Sequence, residues 1–345
     1  MEDSQNEAQF NVENVVQEVL GSIDRERERE IISRRFGLFD RKETLEQIGE
    51  LLGITRERVR QLEKAILTKL KMSAENDLAV IKDVEKTLGK HLEAMGNVAR
   101  VSDVSDRLGK SSSKIDQARL SFLAQLSPGI TVVEDNDNFF HAVALAAKHS
   151  EKAIGQEVNK IIDAIANIGE PTDINTLAKQ LGAKDNKNVE ALASISKNLA
   201  HLHGRWGLTK WPMVNPKNIR DKIYVILHDT KKPMHFSEIA DSIKKSDFKR
   251  KDVTTQAIHN ELIKDKRFVL IGRGIYALKE WGYKKGTVAD VIAEVLRKEG
   301  GPLHRDEIVR RVLKSRHVKE TTILLNLQGK PQFKRVAKAT YELAE

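Results

Sequence analysis

Between Thr44 and Leu70 the chain reads TLEQIGELLGITRERVRQLEKAILTKL, and its polar side chains are of the types that read base edges in duplex DNA. Arginine presents two parallel donors that match guanine, glutamate accepts from the amino group of cytosine, and glutamine pairs with adenine. Arg56, Glu57 and Gln61 carry these groups. They stand at the start of a segment whose apolar residues Val59, Leu62, Ile66 and Leu70 recur at helical spacing. That stripe faces a core and leaves Arg56, Glu57, Arg60, Gln61 and Lys64 on the opposite side. The same charges also suit a plain solvated helix face, and residue types alone leave both readings open.

The helix needs something to aim it, and the residues before it supply that. Thr44 and Gln47 have the spacing of a capping box, so a helix is predicted to start at Leu45, with Leu45, Ile48 and Leu52 on its inner face. Gly53 suits a left-handed helix end, and Thr55 can cap a second helix after only Gly53 and Ile54. Two helices joined this tightly make a helix-turn-helix, in which the N-terminal end of the second helix meets base edges.

At these residues the sequence resembles region four of the primary, sigma-70 type sigma factors of bacterial RNA polymerase. The resemblance covers about residues 24–72 and rests on REREREIISRRFGL, TLEQIGELLGIT and RERVRQLEKAILTKLK occurring in order. It implies that the second helix reads a promoter element in the major groove through Arg56, Glu57 and Gln61. It further implies that Arg58, Arg60 and Lys64 serve the DNA backbone and that Thr44 sits near a phosphate. The family module also docks on the flap of the polymerase β subunit, so RNA polymerase is an expected second partner. Only 23 residues, carrying five acids and no Lys or Arg, precede the motif, so the chain is not expected to be a complete sigma factor.

The remainder repeats a different pattern about every 65 to 70 residues: a helix, a Gly or Pro break, two further helices and a β-rich tail. The breaks read NVARVSDVSDRLG, GEPTDINTLAKQLG, KKPMHFSEIADSIK and GGPLHRDEIVRRVL, and each tail alternates β-branched or aromatic residues around a turn. Three helices closed by a hairpin is the winged-helix plan. The expected fold is therefore mainly α with small β-hairpins, an N-terminal helix-turn-helix followed by tandem winged helices. The expected boundaries are an acidic arm at 1–23, the helix-turn-helix at 24–72, two degenerate winged helices at 80–147 and 156–211, and two more at 217–283 and 286–345.

Residues 217–283 also resemble the HARE-type helix-turn-helix of the RNA polymerase delta subunit, through KPMHFSEIADSI, VTTQAIHNELIKD and RFVLIGRGIYALKEWGY. Gly272 and Gly274 suit a tight wing turn, with Arg273 at its tip placed for a phosphate. Either Ile275, Ala277 and Trp281 or the alternate set with Tyr276 and Leu278 is expected to pack on the helices. Lys249, Arg250 and Lys251 precede the third helix as backbone contacts, and Thr254, Thr255, Gln256 and His259 are expected to face outward. In the last segment Arg310, Arg311, Lys314, Arg316 and Lys319 repeat the basic pattern, and the Gln328–Pro331 turn is expected to interrupt its third helix.

Charge distribution agrees with a polyanion partner. The net charge is +9, and residues 216–345 carry 29 Lys and Arg against 17 Asp and Glu. A lysine-rich surface that merely aids solubility would look the same, so charge alone does not decide. The chain has no cysteine, which removes disulfides and thiolate chemistry and fits a reducing compartment. No apolar run reaches the length of a membrane span, so a cytoplasmic, nucleoid-associated protein without membrane contact is expected. His201 and His203 stand alone without a third ligand, and no nucleophile, phosphate-loop or metalloprotease pattern occurs. No catalytic residue, metal or cofactor is therefore expected. The expected function is a sequence-specific DNA-binding transcription regulator of bacterial type. The alternative is a protein-interaction adaptor on RNA polymerase or another partner, with DNA binding secondary.

Overall fold

The computed structural model describes residues 11–76, 79–109, 113–250, 252–283 and 286–344. The protein is mainly helical with small antiparallel sheets, and it divides into two compact units between Lys210 and Trp211.

The first unit opens with α1 (Val12–Gly21), capped by Asn11, whose side chain accepts from the Glu13 and Asn14 amides. An acidic arm was the expectation for residues 1–23; residues 1–10 lie outside the described residues, and the rest is a packed helix. Glu13 and Glu18 are exposed while Val16, Val19 and Leu20 are buried, an amphipathic period that the charge excess obscured. Next come α2 (Glu26–Phe36), α3 (Leu45–Leu52) and α4 (Arg56–Asn76).

They are followed by α5 (Ala79–Ala94), β1 (Val98–Arg100), α6 (Val101–Leu108), α7 (Lys114–Leu126), β2 (Ile130–Val133) and β3 (Ala142–Leu145), with sheet order β1-β3-β2. A third group comprises α8 (Glu151–Ile168), α9 (Ile174–Leu181), α10 (Asn186–Ile195) and the antiparallel pair β4 (Leu199–Leu202) and β5 (Arg205–Leu208).

These groups are not beads on a string. Ile66, Leu70 and Ala74 of α4 share one core with Val16 and Val19 of α1, Val84 and Leu88 of α5, and Leu120, Phe122 and Leu123 of α7. Phe36 meets Phe122 with ring centroids 5.0 Å apart. Buried Arg119 donates Nε to the Leu38 carbonyl at 2.7 Å and Nη1 to Glu13 at 3.0 Å. The second and third groups interlock as well. Arg100 donates to the Ser194 carbonyl, Lys197 pairs with Asp135, and Phe140 donates its amide to the Ile195 carbonyl at 2.9 Å.

The second unit repeats one order of elements twice. The first copy is α11 (Ile219–Thr230), β6 (Met234–His235), α12 (Phe236–Lys245), α13 (Thr255–Lys264), β7 (Phe268–Gly272) and β8 (Ile275–Leu278), with order β6-β8-β7. The second is α14 (Val288–Glu299), β9 (Leu303–His304), α15 (Arg305–Leu313), α16 (Glu320–Gly329), β10 (Phe333–Ala337) and β11 (Thr340–Leu343), with order β10-β11-β9.

Three expectations change here. Both candidate sets of hairpin residues pack, one on each face, because successive strand residues point to opposite sides. Tyr276 lies toward α13, where His259 meets its ring at 6.2 Å, while Ala277 clusters with Val269, Ile271, Ile275, Trp281 and Tyr283. His259 is thus half-buried between Phe236 and Tyr276 and does not face outward. The Gln328–Pro331 turn does not interrupt the third helix: α16 ends at Gly329, and Pro331, which cannot continue a helix, leads into β10.

Candidate nucleic-acid interface

The α3–α4 corner is held by its own small core of Ile31, Ile48 and Val59, with Leu45, Leu52, Ile54 and Leu62 packed around it. Thr44 and Gln47 form the complete capping box. Gly53 adopts φ 65°, and Ile54 returns its amide to the Gly49 carbonyl at 2.9 Å. Gly49 itself is required by space, since a Cβ there would stand 2.7 Å from the Ile54 carbonyl oxygen. Thr55 Oγ1 accepts from the Arg58 amide at 3.2 Å and starts α4. The turn between the helices is therefore short and rigid. It presents Arg56, Glu57, Arg58, Arg60, Gln61 and Lys64 exposed along α4, with Val59 fully buried beneath.

On that face the polar groups engage one another. Arg60 grips Glu57 with two hydrogen bonds, Nε to Oε2 at 2.8 Å and Nη2 to Oε1 at 2.7 Å. Gln61 Nε2 donates to Glu57 Oε1 at 3.4 Å, and Arg58 Nη1 donates to Gln61 Oε1 at 3.3 Å. The Arg60 guanidinium, helped by Gln61 and the Arg56 charge, holds the Glu57 carboxyl below the usual carboxylate range. Glu57 thus stays an anionic acceptor, and Arg56 stands outside the chain of hydrogen bonds. The Thr44 hydroxyl is engaged within its cap, donating to Gln47 Oε1 at 3.1 Å. Arg35 ties Glu63 at 3.2 Å, fixing α4 against α2.

Residues 25–72 match the family model for sigma-70, region 4. Among similar proteins are "RNA polymerase sigma factor sigB" of Arabidopsis thaliana, 48% identical over 52 residues, or 15% of this chain and 9% of that protein. "RNA polymerase sigma factor SigA1" of Synechococcus elongatus is 47% identical over 53 residues, covering 15% of this chain and 13% of the relative. "RNA polymerase sigma factor SigA" of a Bacillus species is 46% identical over 57 residues, covering 16% and 15%. The chain therefore spans only a small fraction of these relatives, and the likeness belongs to the region-4 module.

The structure gathers the module's six α4 side chains on one helix and sets Thr44 at the start of α3. The other sequence-derived candidates belong to the second unit. Lys249 and Arg250 are exposed in the loop before α13, with Arg250 at φ 54°. Their carbonyls are held by the Lys222 ammonium at 2.8 and 2.7 Å. Lys222 is buried, and burial, then the Arg250 charge, pull its pKa down. Lys251 lies outside the described residues. Arg273 is exposed at the β7–β8 turn, with Gly274 at φ 68°. Arg310 and Arg311 are bound by Glu307, whose carboxyl they lower to about 2, and Arg311 also pairs with Glu299. Arg316 is buried and donates to the Leu270 carbonyl at 2.6 Å, so it is not a surface cation.

Sequence reasoning missed further cations within the region-4 module. Arg41 and Lys42, two residues before the capping box, are exposed and line a cavity of about 820 Å³ with Arg100, Lys114, Glu134 and Asp135. Lys71 joins Arg60 and Lys64 in a smaller hollow farther along α4. Their adjacency to Thr44 and their helical spacing from Lys64 were the available signals. His201 stacks on Trp206 with centroids 4.9 Å apart, and His203 forms the β4–β5 turn at φ 50°. Among the described residues no group of ligands suits a metal ion, and no helix is long and apolar enough to cross a membrane.

Proposed function

We propose that this protein is a sequence-specific DNA-binding transcription regulator of bacterial type, acting in the cytoplasm at the nucleoid. The observation that carries this reading is the α4 face, where Arg56, ionised Glu57 and Gln61 stand exposed at the start of a rigidly capped helix in a segment matching sigma-70, region 4. In this reading those three residues contact bases, while Thr44, Arg58, Arg60 and Lys64 meet the backbone. The segments after residue 79 act as tandem winged helices, and residues 217–283 as a HARE-type module whose Lys249, Arg250 and Arg273 add phosphate contacts. The repeated order of helix, strand, two helices and hairpin supports that assignment. RNA polymerase, through its β flap, is the second partner, supported by relatives named as its sigma factors.

The test is binding to matched and scrambled duplexes across a salt series. Arg56→Ala or Gln61→Ala should cost on the order of 1 to 3 kcal/mol on the matched duplex and relax preference at one base pair. Equal weakening on both duplexes would falsify the base-reading role.

The alternative is a protein-interaction adaptor that grips RNA polymerase or another partner, with DNA contact secondary. The hairpin turn of the second group favours it, since Glu134, Asp135 and Asp137 make it acidic and unsuited to phosphates. Polymerase recovered with the protein in high salt after nuclease treatment supports the adaptor; no recovery under mild conditions removes it.

A further inference from the structure

The second unit carries most of the chain's excess positive charge, but the structure disposes of much of it internally. In the last repeat Arg310 and Arg311 are held by carboxylates and Arg316 is buried. Part of the charge that remains outward lies on the β10–β11 hairpin and its approach, beside other exposed cations of the unit such as Lys314 and Lys319. Lys330, Lys334, Arg335 and Lys338 are all exposed, and among the described residues none of them has a carboxylate partner. Arg335 donates only to the Ala337 carbonyl in its own turn, at 3.2 Å. The hairpin's one acid, Glu342, stands opposite Lys334 in the strand register without an ion pair.

No other hairpin of the protein combines these properties among the described residues. The β2–β3 turn is acidic and pinned by Lys197 through Asp135. The β4–β5 turn is the two residues His203 and Gly204. The β7–β8 turn offers Arg273 alone, and its outer strand is already occupied, with His317 donating its amide to the Ile271 carbonyl at 3.3 Å and Arg316 gripping the Leu270 carbonyl. By contrast β10 is an edge strand, so its outward N–H groups are unpaired by any neighbouring strand. A bulge between Arg335 and Ala337 twists that edge.

We infer that the β10–β11 hairpin is a duplex-DNA backbone contact, with Lys334, Arg335 and Lys338 meeting phosphates and Lys330 supporting them. Long flexible cations that no carboxylate holds in an ion pair suit a polyanion. Lys334 and Arg335 lie on β10 and Lys338 in the turn after it, so the cations are spread over at most about 13 Å, within reach of neighbouring phosphates. The adjoining helix α16 presents Glu320, Thr321, Leu325 and Gln328 outward and no cation, so the phosphate contacts of this surface come from the hairpin. The inference rests on the proposed DNA-binding reading. The plain competitor is that basic residues on an edge strand merely discourage strand pairing between molecules.

Salt dependence separates the two. In the full chain, Lys334→Gln with Arg335→Gln and Lys338→Gln should lower affinity for a scrambled duplex more than tenfold near 50 mM salt. The slope of log affinity against log salt should fall by about 2.5 to 3, one near-unit step per lost phosphate contact. The single variant Lys338→Glu should lower it by about 1, and its thermal transition serves as the folding control. An unchanged slope in well-folded variants overturns the inference, as does a slope lost on single-stranded RNA but kept on duplex DNA. The base-reading proposal fails separately, because it lives in the matched-to-scrambled ratio and its loss in Arg56→Ala, which these substitutions leave intact.

Discussion

At the residue scale, Arg60 has a part besides the proposed backbone contact: in the free protein it grips the Glu57 carboxylate with two hydrogen bonds and lowers its pKa. An exposed pair of this kind adds little to stability, so its worth is in presentation. Arg60→Ala should therefore weaken preference at the same base pair as Glu57→Gln, and it should do so in a pH-dependent way. A depressed carboxyl stays anionic to a pH below the usual Glu value of about 4.3, so discrimination in the parent persists further toward acid. In Arg60→Ala the carboxyl returns toward that value, and discrimination should fade at higher pH than in the parent. Competition binding with the cytosine replaced, run from pH 7 downward, reads this directly; superimposable profiles would sink it. The identity of Arg56, Glu57 and Gln61 as exposed candidates was legible from their spacing against Val59 and Ile66. The Arg60–Glu57 grip was not, because it depends on which of several rotamers two long side chains choose.

At the scale of elements, capping and turn chemistry were legible and close approaches were not. Thr44, Gln47, Gly53 and Thr55 act as their local patterns imply, because caps are decided within four residues. Gly49 gave no such sign; its need arises from the Ile54 carbonyl folding back across the turn. Gly49→Ala should cost about 1 to 3 kcal/mol by forcing that turn open, measured by urea unfolding, with matched-site binding reduced in step. A loop in the second unit has a comparable hidden support in Lys222. Replacing it by Met strips the Lys249 and Arg250 carbonyls of their donor in a buried site, which should cost about 1 to 3 kcal/mol. Scrambled-duplex affinity should fall as the basic loop loses its set; unchanged stability and binding together would show that the ammonium holds nothing.

At the scale of the whole molecule, the repeats were legible as periodic breaks, but the joining of groups was not. Phe36 with Phe122, and Arg119 with Leu38 and Glu13, are partners more than 80 residues apart, and nothing in either local pattern announces the other. Their consequence is that, beyond the small core of the α3–α4 corner, the region-4 module shares its inner face: α1 and α7 complete it, and that core runs on into α5. Cooperativity should follow the core and not the family boundary. Phe122→Ala, a cavity in the shared cluster, should cost about 3 to 5 kcal/mol. In calorimetry this should lower the transition of the first unit while leaving that of the second in place. In native-state hydrogen exchange the amides of α4 should lose protection together with those of α5 and α7, although Phe122 lies 50 residues beyond the family match at 25–72. If α4 kept its protection while α5 and α7 lost theirs, the module would be an independent folding unit after all, and the shared core only a contact surface.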